Sequence, residues 1–211
     1  MGAQGGYDGV AADYAAEFAD ELAAKPFDRK MLDWLAEKVG GPGAVCDMGC
    51  GPGQVARYLH GRGVEACGVD LSAEMVRHAR ALNPDIPFEQ GDMLALANVP
   101  DETYGGVAAF YSLIHVPRTR LCDALRELKR VLRRRGALLV TFHIGRETVH
   151  RDEFFGRAVS LDFHFFESAE MKEYLAAAGF HLEEAVERDP YPPEVEYQSR
   201  RAYIFARKPP A

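Results

Sequence analysis

The stretch Ala44-Val45-Cys46-Asp47-Met48-Gly49-Cys50-Gly51-Pro52-Gly53 constrains this chain more than any other. Its apolar first half is of the kind that makes a buried parallel strand, and it ends in glycines at alternate positions. Behind it, Gln54 to His60 has helical spacing, with Val55, Tyr58 and Leu59 on one side. A strand that turns through glycines into a helix lets backbone approach a ligand with no side chain in the way. The helix start adds unpaired N–H donors, which suit a phosphate or a carboxylate. Gly49 and Gly51 fit the first two glycines of G-x-G-x-x-G, but the third position falls on Gln54. A dinucleotide site asks for a small residue there, for close helix–strand packing. Asp47 sets a carboxylate at the carboxyl end of the strand, where it would repel a pyrophosphate but could orient backbone and water around a ligand amino group.

The chain around this turn alternates strands and helices. Residues 7–39 read as helices, with Tyr14, Phe18 and Leu22 at four-residue spacing and, after Pro26, Met31, Leu32, Leu35 and Val39. Gly40-Gly41-Pro42-Gly43 closes that segment. Val64 to Asp70 is a second strand ending in an acid, 21 residues after Gly49. That is close to the ~20 expected of a carboxylate that accepts two ribose hydroxyls. Leu71 would pack near the nucleoside, and Ser72 is placed to cap the helix running through Met75, Val76 and Ala79. Pro87 to Met93 makes a third short strand and loop. Gly106 to Leu113 makes a fourth strand, which emerges at Ile114-His115-Val116-Pro117. Ligands in open α/β sheets sit beyond the carboxyl ends of the strands, so Tyr111, Ser112 and His115 are expected to line a pocket. Thr119 to Arg135 reads as an amphipathic helix, with Arg133-Arg134-Arg135 as its solvated last turn complementing the helix dipole. Gly136 to His143 is a fifth strand ending in a second histidine.

From Ile144 to Glu167 periodicity is poor, and Phe154, Phe155, Phe163, Phe165 and Phe166 gather with His150, Asp162 and His164. This insert would suit an organic substrate; equally, its rings could fill a core and anchor a lid. A helix from Glu167 to Gly179 follows, then strands from Phe180 to Arg188 and Arg200 to Arg207, whose proximity favours an antiparallel hairpin. The expected fold is α/β: a Rossmann-like, seven-stranded, mostly parallel sheet with helices on both faces and a C-terminal antiparallel hairpin. At 211 residues one domain is expected. Its parts are a helical lid (1–43), a cofactor-binding core (44–143), a substrate-side insert and helix (144–178) and the hairpin (179–211).

Asp47-x-Gly49-x-Gly51-x-Gly53, together with Asp70 at its spacing, resembles the first motifs of the class I S-adenosylmethionine-dependent methyltransferases of small-molecule type. The resemblance covers nearly the whole chain. It implies S-adenosylmethionine as cofactor, S-adenosylhomocysteine as product and no metal. Asp47, Gly49, Gly51, Gly53, Asp70 and Leu71 would then lie at the cofactor. Gly91-Asp92-Met93 matches the family position whose acid accepts from the adenine amino group, beside a backbone N–H that contacts a ring nitrogen. Tyr7 and Tyr14, in Tyr-Asp-x-Val-Ala-x-x-Tyr, resemble the lid helix whose tyrosines cover the cofactor, although both could simply pack the helix on the domain. Tyr111 would add its ring near the sulfonium. His115 is the first candidate for a base acting on an O or N acceptor, with His143 and His164 after it; each also reads as a pocket residue that only hydrogen-bonds.

A net charge of −7 disfavours a nucleic-acid substrate, and a small-molecule acceptor is expected, with methyl transfer to protein or RNA as the alternative. The Asn/Asp-Pro-Pro-Tyr set of amino-group methyltransferases acting on nucleic acid or glutamine is absent after the fourth strand. A non-catalytic cofactor-binding module and an NAD-dependent oxidoreductase are further alternatives, the latter disfavoured by Gln54 and Asp47. Cys46, Cys50, Cys67 and Cys122 form no C-x-x-C pair and read as buried thiols. No apolar run reaches the ~20 residues that span a bilayer. The N-terminus has no basic-then-apolar leader, so a cytoplasmic location and no membrane partner are expected. Oligomeric state is open.

Overall fold

The computed structural model describes residues 3–39 and 43–210. The expected Gly40-Gly41-Pro42 closure lies outside the described residues. Strands β1 (Val45–Met48), β2 (Ala66–Asp70), β3 (Phe88–Gln90), β4 (Tyr104–Phe110) and β5 (Leu132–His143) run parallel to one another. Toward the chain's end β8 (His181–Arg188) and β9 (Arg201–Arg207) complete a seven-stranded sheet of order β3-β2-β1-β4-β5-β9-β8. Strand β9 is antiparallel to both neighbours, so the final hairpin inserts its second strand beside β5. This is the expected architecture.

Side-chain alternation along the strands divides the core into two layers. On one face Ala137 and Leu139 of β5 join Tyr203 and Phe205 of β9 under α2 (Pro26–Val39), α3 (Gln54–Gly61) and α4 (Ala73–Leu82). On the other, Leu138 and Val140 join Ile204 and Ala206 under α5 (Arg118–Val131) and α6 (Ser168–Ala177). β1 is buried along its whole length, as a strand covered on both faces must be. Helix α1 (Ala3–Phe18) stands apart from both layers and packs on α4 and the insert. Among the described residues no helix is long and apolar enough to cross a membrane.

Three expectations need correction. Helix α5 ends at Val131, so Arg133, Arg134 and Arg135 are not its last turn but the irregular entry to β5, where pairing slips between Tyr104 and Gly106. The carbonyl of Arg130 accepts from Glu102 N–H (3.0 Å), and that of Leu132 accepts from Lys208 Nζ (2.7 Å), so Lys208 adds its charge at the helix end to those of Lys129 and Arg130 in the last turn. The fourth strand stops at Phe110 rather than Leu113. Tyr111 takes a left-handed conformation (φ 54°), pinned by its N–H to Thr141 Oγ1 (2.9 Å), and Leu113–His115 forms a 3-10 turn. The insert is not irregular: β6 (Thr148–Phe154) and β7 (Arg157–His164) form a separate antiparallel hairpin, turning at Phe155 (φ 52°) and Gly156 (φ 69°).

Candidate functional site

At the carboxyl ends of β1, β2 and β4 the glycine turn is tied to its neighbour: the N–H groups of Gly49 and Cys50 both donate to Val69 O (2.7 and 3.1 Å). Gly51 N–H donates to Asp70 Oδ2 (2.8 Å) and Ser72 N–H to Oδ1 (2.8 Å). Each Asp70 oxygen thus keeps a free lone pair. Burial raises this carboxyl's pKa, against the lowering effect of those two N–H groups. Two glycines are needed for space. A Cβ on Gly49 (φ 76°) would lie 2.4 Å from Ser112 Cβ, and one on Gly53 (φ 89°) would lie 2.7 Å from Phe88 Cζ. Gly53 therefore supplies the close packing of turn on sheet that Gln54 could not.

The turn opens into a cavity of about 530 Å³, within the ordinary range of ligand sites. Gly49, Gly51, Asp70, Leu71, Asp92 and Met93 line one end. Asp92 Oδ1 accepts Leu94 N–H (2.8 Å), which fixes its loop. Two buried polar atoms at this end have no hydrogen-bond partner among the described residues, Ser112 Oγ and Gln54 Oε1. Tyr111, His115, His143, Phe163, Phe165 and Arg201 line the other end. Helix α1 lies across the top. Its Asp8 accepts from Ser72 Oγ (2.5 Å) and Glu74 N–H (3.3 Å), docking α1 on the start of α4, which Ser72 caps through Met75 N–H (3.1 Å). Tyr7 and Tyr14 meet edge to face (5.7 Å between centroids), and Tyr14 continues into Phe18 and Phe154.

A family model described as "Methyltransferase domain" matches residues 45–136, the span from β1 into β5. The chain is 34% identical over 115 residues to malonyl-[acyl-carrier protein] O-methyltransferase of Pseudescherichia vulneris, covering 54% of this chain and 45% of that protein. A solved S-adenosylmethionine-dependent methyltransferase of Methanosarcina mazei superimposes with a TM-score of 0.71 at 16% identity, over 80% of this chain and 93% of that one. Residues 45–136 thus match the methyltransferase-domain family, and the sheet has the fold of solved S-adenosylmethionine-dependent methyltransferases. Magnesium protoporphyrin IX methyltransferase of Synechocystis, solved with S-adenosylmethionine bound, has the same fold (TM-score 0.62, 21% identity, 86% of this chain and 79% of that one). The chain spans about half the length of the curated relatives it matches.

Asp47 and Gly53 lie beneath the turn rather than on the cavity wall. Asp47 is 1% exposed, its Oδ2 has no partner among the described residues, and burial pushes its carboxyl up to about 8, against the lowering effect of Ala56 N–H. The histidines separate. His115 Nδ1 lies 2.9 Å from Asp162 O, which can only accept, so Nδ1 carries the hydrogen and Nε2 accepts from Tyr7 O–H (2.9 Å). Burial lowers its pKa to about 4, leaving a neutral imidazole. His143 stacks on Phe165 (4.9 Å, 18°), and its Nδ1 faces Ser199 Oγ (2.7 Å) and the Arg201 guanidinium. Burial, and then Arg201, lowers its pKa to about 3. His164 lies off the cavity, bonded through Nδ1 to Thr148 Oγ1 (2.9 Å), because alternation on β7 sends Phe163 inward and its neighbour outward.

Sequence reasoning did not single out Lys25, Glu196 or Arg201, which also line the cavity. Lys25 pairs with Glu21, while Glu196 and Arg201 belong to a buried network. Arg188 donates to Asp28 Oδ2 (2.9 Å) and to both oxygens of Glu196 (2.5 and 3.0 Å), and Tyr203 O–H donates to Asp28 Oδ1 (3.0 Å). Burial works to raise the pKa of Glu196, yet Arg188 and Tyr191 N–H hold it at about 2. No local motif marks these residues, since Asp28 and Arg188 stand 160 positions apart.

Proposed function

We propose that this chain moves the methyl group of S-adenosylmethionine to an O or N atom of a small-molecule acceptor, releasing S-adenosylhomocysteine. One observation carries the reading: a single cavity runs from the glycine turn and Asp70 to His115, His143 and the aromatic hairpin. Donor and acceptor share about 530 Å³, so the part of the acceptor that enters is small. The residues present fit the cofactor. Asp70 has free lone pairs for two ribose hydroxyls, Leu71 flanks the nucleoside, and Asp92 with Met93 N–H meets the adenine edge. Ser112 Oγ and Gln54 Oε1, both unpartnered, serve the amino-acid end beside Gly49 and Gly51. Asp47 and Gly53 hold the turn from below.

When bound, S-adenosylmethionine supplies a methyl on a sulfonium already activated for in-line displacement. The protein's contribution is alignment and exclusion of water. Tyr14 and Tyr111 offer ring faces to the cation. His115 Nε2 is the one imidazole lone pair whose only partner is the lid, so withdrawal of Tyr7 frees it to take the acceptor's proton. His143 Nδ1 is already committed to Ser199 and Arg201, which leaves His143 as a hydrogen-bonding wall residue.

The test is a screen of candidate acceptors with isotopically labelled methyl donor, using mass spectrometry to locate the transferred group. Labelled methyl on the O or N of a small molecule is the expected result. Transfer only to protein or RNA, or NAD binding without S-adenosylmethionine binding, refutes the reading.

A further inference from the structure

Arg201 opens β9 directly opposite His143, the last residue of β5, at the ligand edge of the sheet. It is 3% exposed and lines the acceptor end of the cavity. Its guanidinium is incompletely bonded. NH1 donates to Ser199 Oγ (3.1 Å) and faces His143 Nδ1; NH2 donates to Tyr197 O (2.8 Å). Nε has no partner among the described residues. Glu196 lies 3.3 Å from NH2, but both its oxygens bond Arg188, and Oε1 also takes Tyr191 N–H (2.7 Å). Arg201 is therefore the last cation of the chain Asp28–Arg188–Glu196–Arg201, ion-paired with Glu196 and with its Nε–H left without an acceptor among the described residues. A buried guanidinium N–H that lacks an acceptor is costly, and an acceptor group on a ligand removes the cost.

The surroundings define that group. The guanidinium lies over the Tyr111 ring (5.3 Å to the centroid), with Phe165 and Phe110 on the same wall. Because a guanidinium has no acceptor, whichever His143 nitrogen takes its N–H is the acceptor of their contact, and the other ring nitrogen keeps the hydrogen. His143 is then a neutral donor beside a permanent cation. A planar cation edge set in aromatic walls matches a planar anion on an apolar body. A phosphate would ask for more donors than this edge supplies, and a carboxylate oxygen bonds a cationic N–H more strongly than a neutral amide oxygen does.

We propose that the acceptor bears a carboxylate and that Arg201 is the residue that reads it. This rests on the methyltransferase reading above and names the acceptor class within it. The experiment measures binding to the full chain by calorimetry at pH 7.5, with and without S-adenosylhomocysteine. It uses matched pairs of an acid and its primary amide: phenylacetate with phenylacetamide, and hexanoate with hexanamide. At least one acid is expected to bind tenfold or more tightly than its amide. Arg201→Gln should abolish that preference while leaving S-adenosylhomocysteine affinity within twofold, and Arg201→Lys should restore part of it. If no acid outbinds its amide on the native chain, the proposal falls whether or not the variants fold. A preference that survives in a folded Arg201→Gln also overturns it. Failure of the native chain to bind S-adenosylhomocysteine is a separate result, directed at the methyltransferase reading alone.

Discussion

Replacing Asp70 by asparagine separates the two jobs this side chain performs. Its oxygens already accept Gly51 N–H and Ser72 N–H, both at 2.8 Å, and their remaining lone pairs are the ones assigned to the ribose. Asparagine has one acceptor oxygen, and its NH₂ must face one of the two backbone N–H groups. One turn hydrogen bond is therefore lost, which costs about 1–2 kcal/mol of stability. On the ligand side, one hydroxyl loses its acceptor and the other loses a charged one. At ~1.5–3 kcal/mol for a hydrogen bond to a charged group, the combined loss is about 3 kcal/mol, or roughly two orders of magnitude in Kd. Calorimetry with S-adenosylhomocysteine reads the affinity and a melting curve reads the stability. If affinity stays within threefold while the melting temperature falls, Asp70 is structural only and the ribose assignment is wrong.

Further outcomes follow from the same geometry. His115→Gln should lower kcat roughly 10²-fold with unchanged S-adenosylhomocysteine affinity; full turnover across a pH series would remove it as base. Because burial sets the His115 pKa at about 4, the native acid limb it controls should lie near there and not at the 6.5 of a free imidazole. Gly49→Ala should destabilise the chain by about 2 kcal/mol or more, since the methyl meets Ser112 Cβ at 2.4 Å and φ is 76°. Adding Ser112→Gly should recover the steric part in a double-mutant melting series. The folded pKa of Asp47, about 8, exceeds the ordinary carboxyl value of 3.8, so between these two values the native state holds a proton that the unfolded state has released. Stability from this site is therefore full below pH 3.8 and lost as pH rises through 8. Asp47→Asn should remove that loss and gain on the order of a few kcal/mol at pH 9 relative to the native chain, as read in denaturant titrations.

Where local chemistry decided the structure, the sequence was legible. The β1 turn and the Ser72 cap each depend on residues within a few positions of one another, and the acid at Asp70 stands at a fixed spacing from the turn. The β6–β7 hairpin escaped because its turn begins with Phe155 at φ 52°, a conformation normally signalled by asparagine, aspartate or glycine. Both its strands are also largely solvated, with little apolar alternation to read. The early end of α5 escaped for a different reason. The groups that satisfy its terminus, Glu102 N–H and Lys208 Nζ, come from other segments, so nothing near Arg133 marks the stop.

The same division runs through the site and explains why its two ends were not equally readable. The contacts proposed for the cofactor lie at turns, and turn chemistry leaves short-range traces such as Gly49, Gly51 and Gly91-Asp92. The acceptor end is assembled from side chains on α2, β5, β8, β9 and the loop between the last two, brought together only by the sheet order β5-β9-β8. Inserting β9 antiparallel beside β5 places Arg201 opposite His143, and that register fixes which histidine can act as a base. His143, pinned through Nδ1 by the Ser199 hydroxyl and the guanidinium, becomes a wall; His115, held only by Tyr7 and a backbone carbonyl, keeps a lone pair that lid movement can release. Sequence position alone made the two equivalent, since each follows a strand at the ligand edge. Their hydrogen-bonding partners, Arg201 58 residues from the one and Asp162 47 residues from the other, distinguish them.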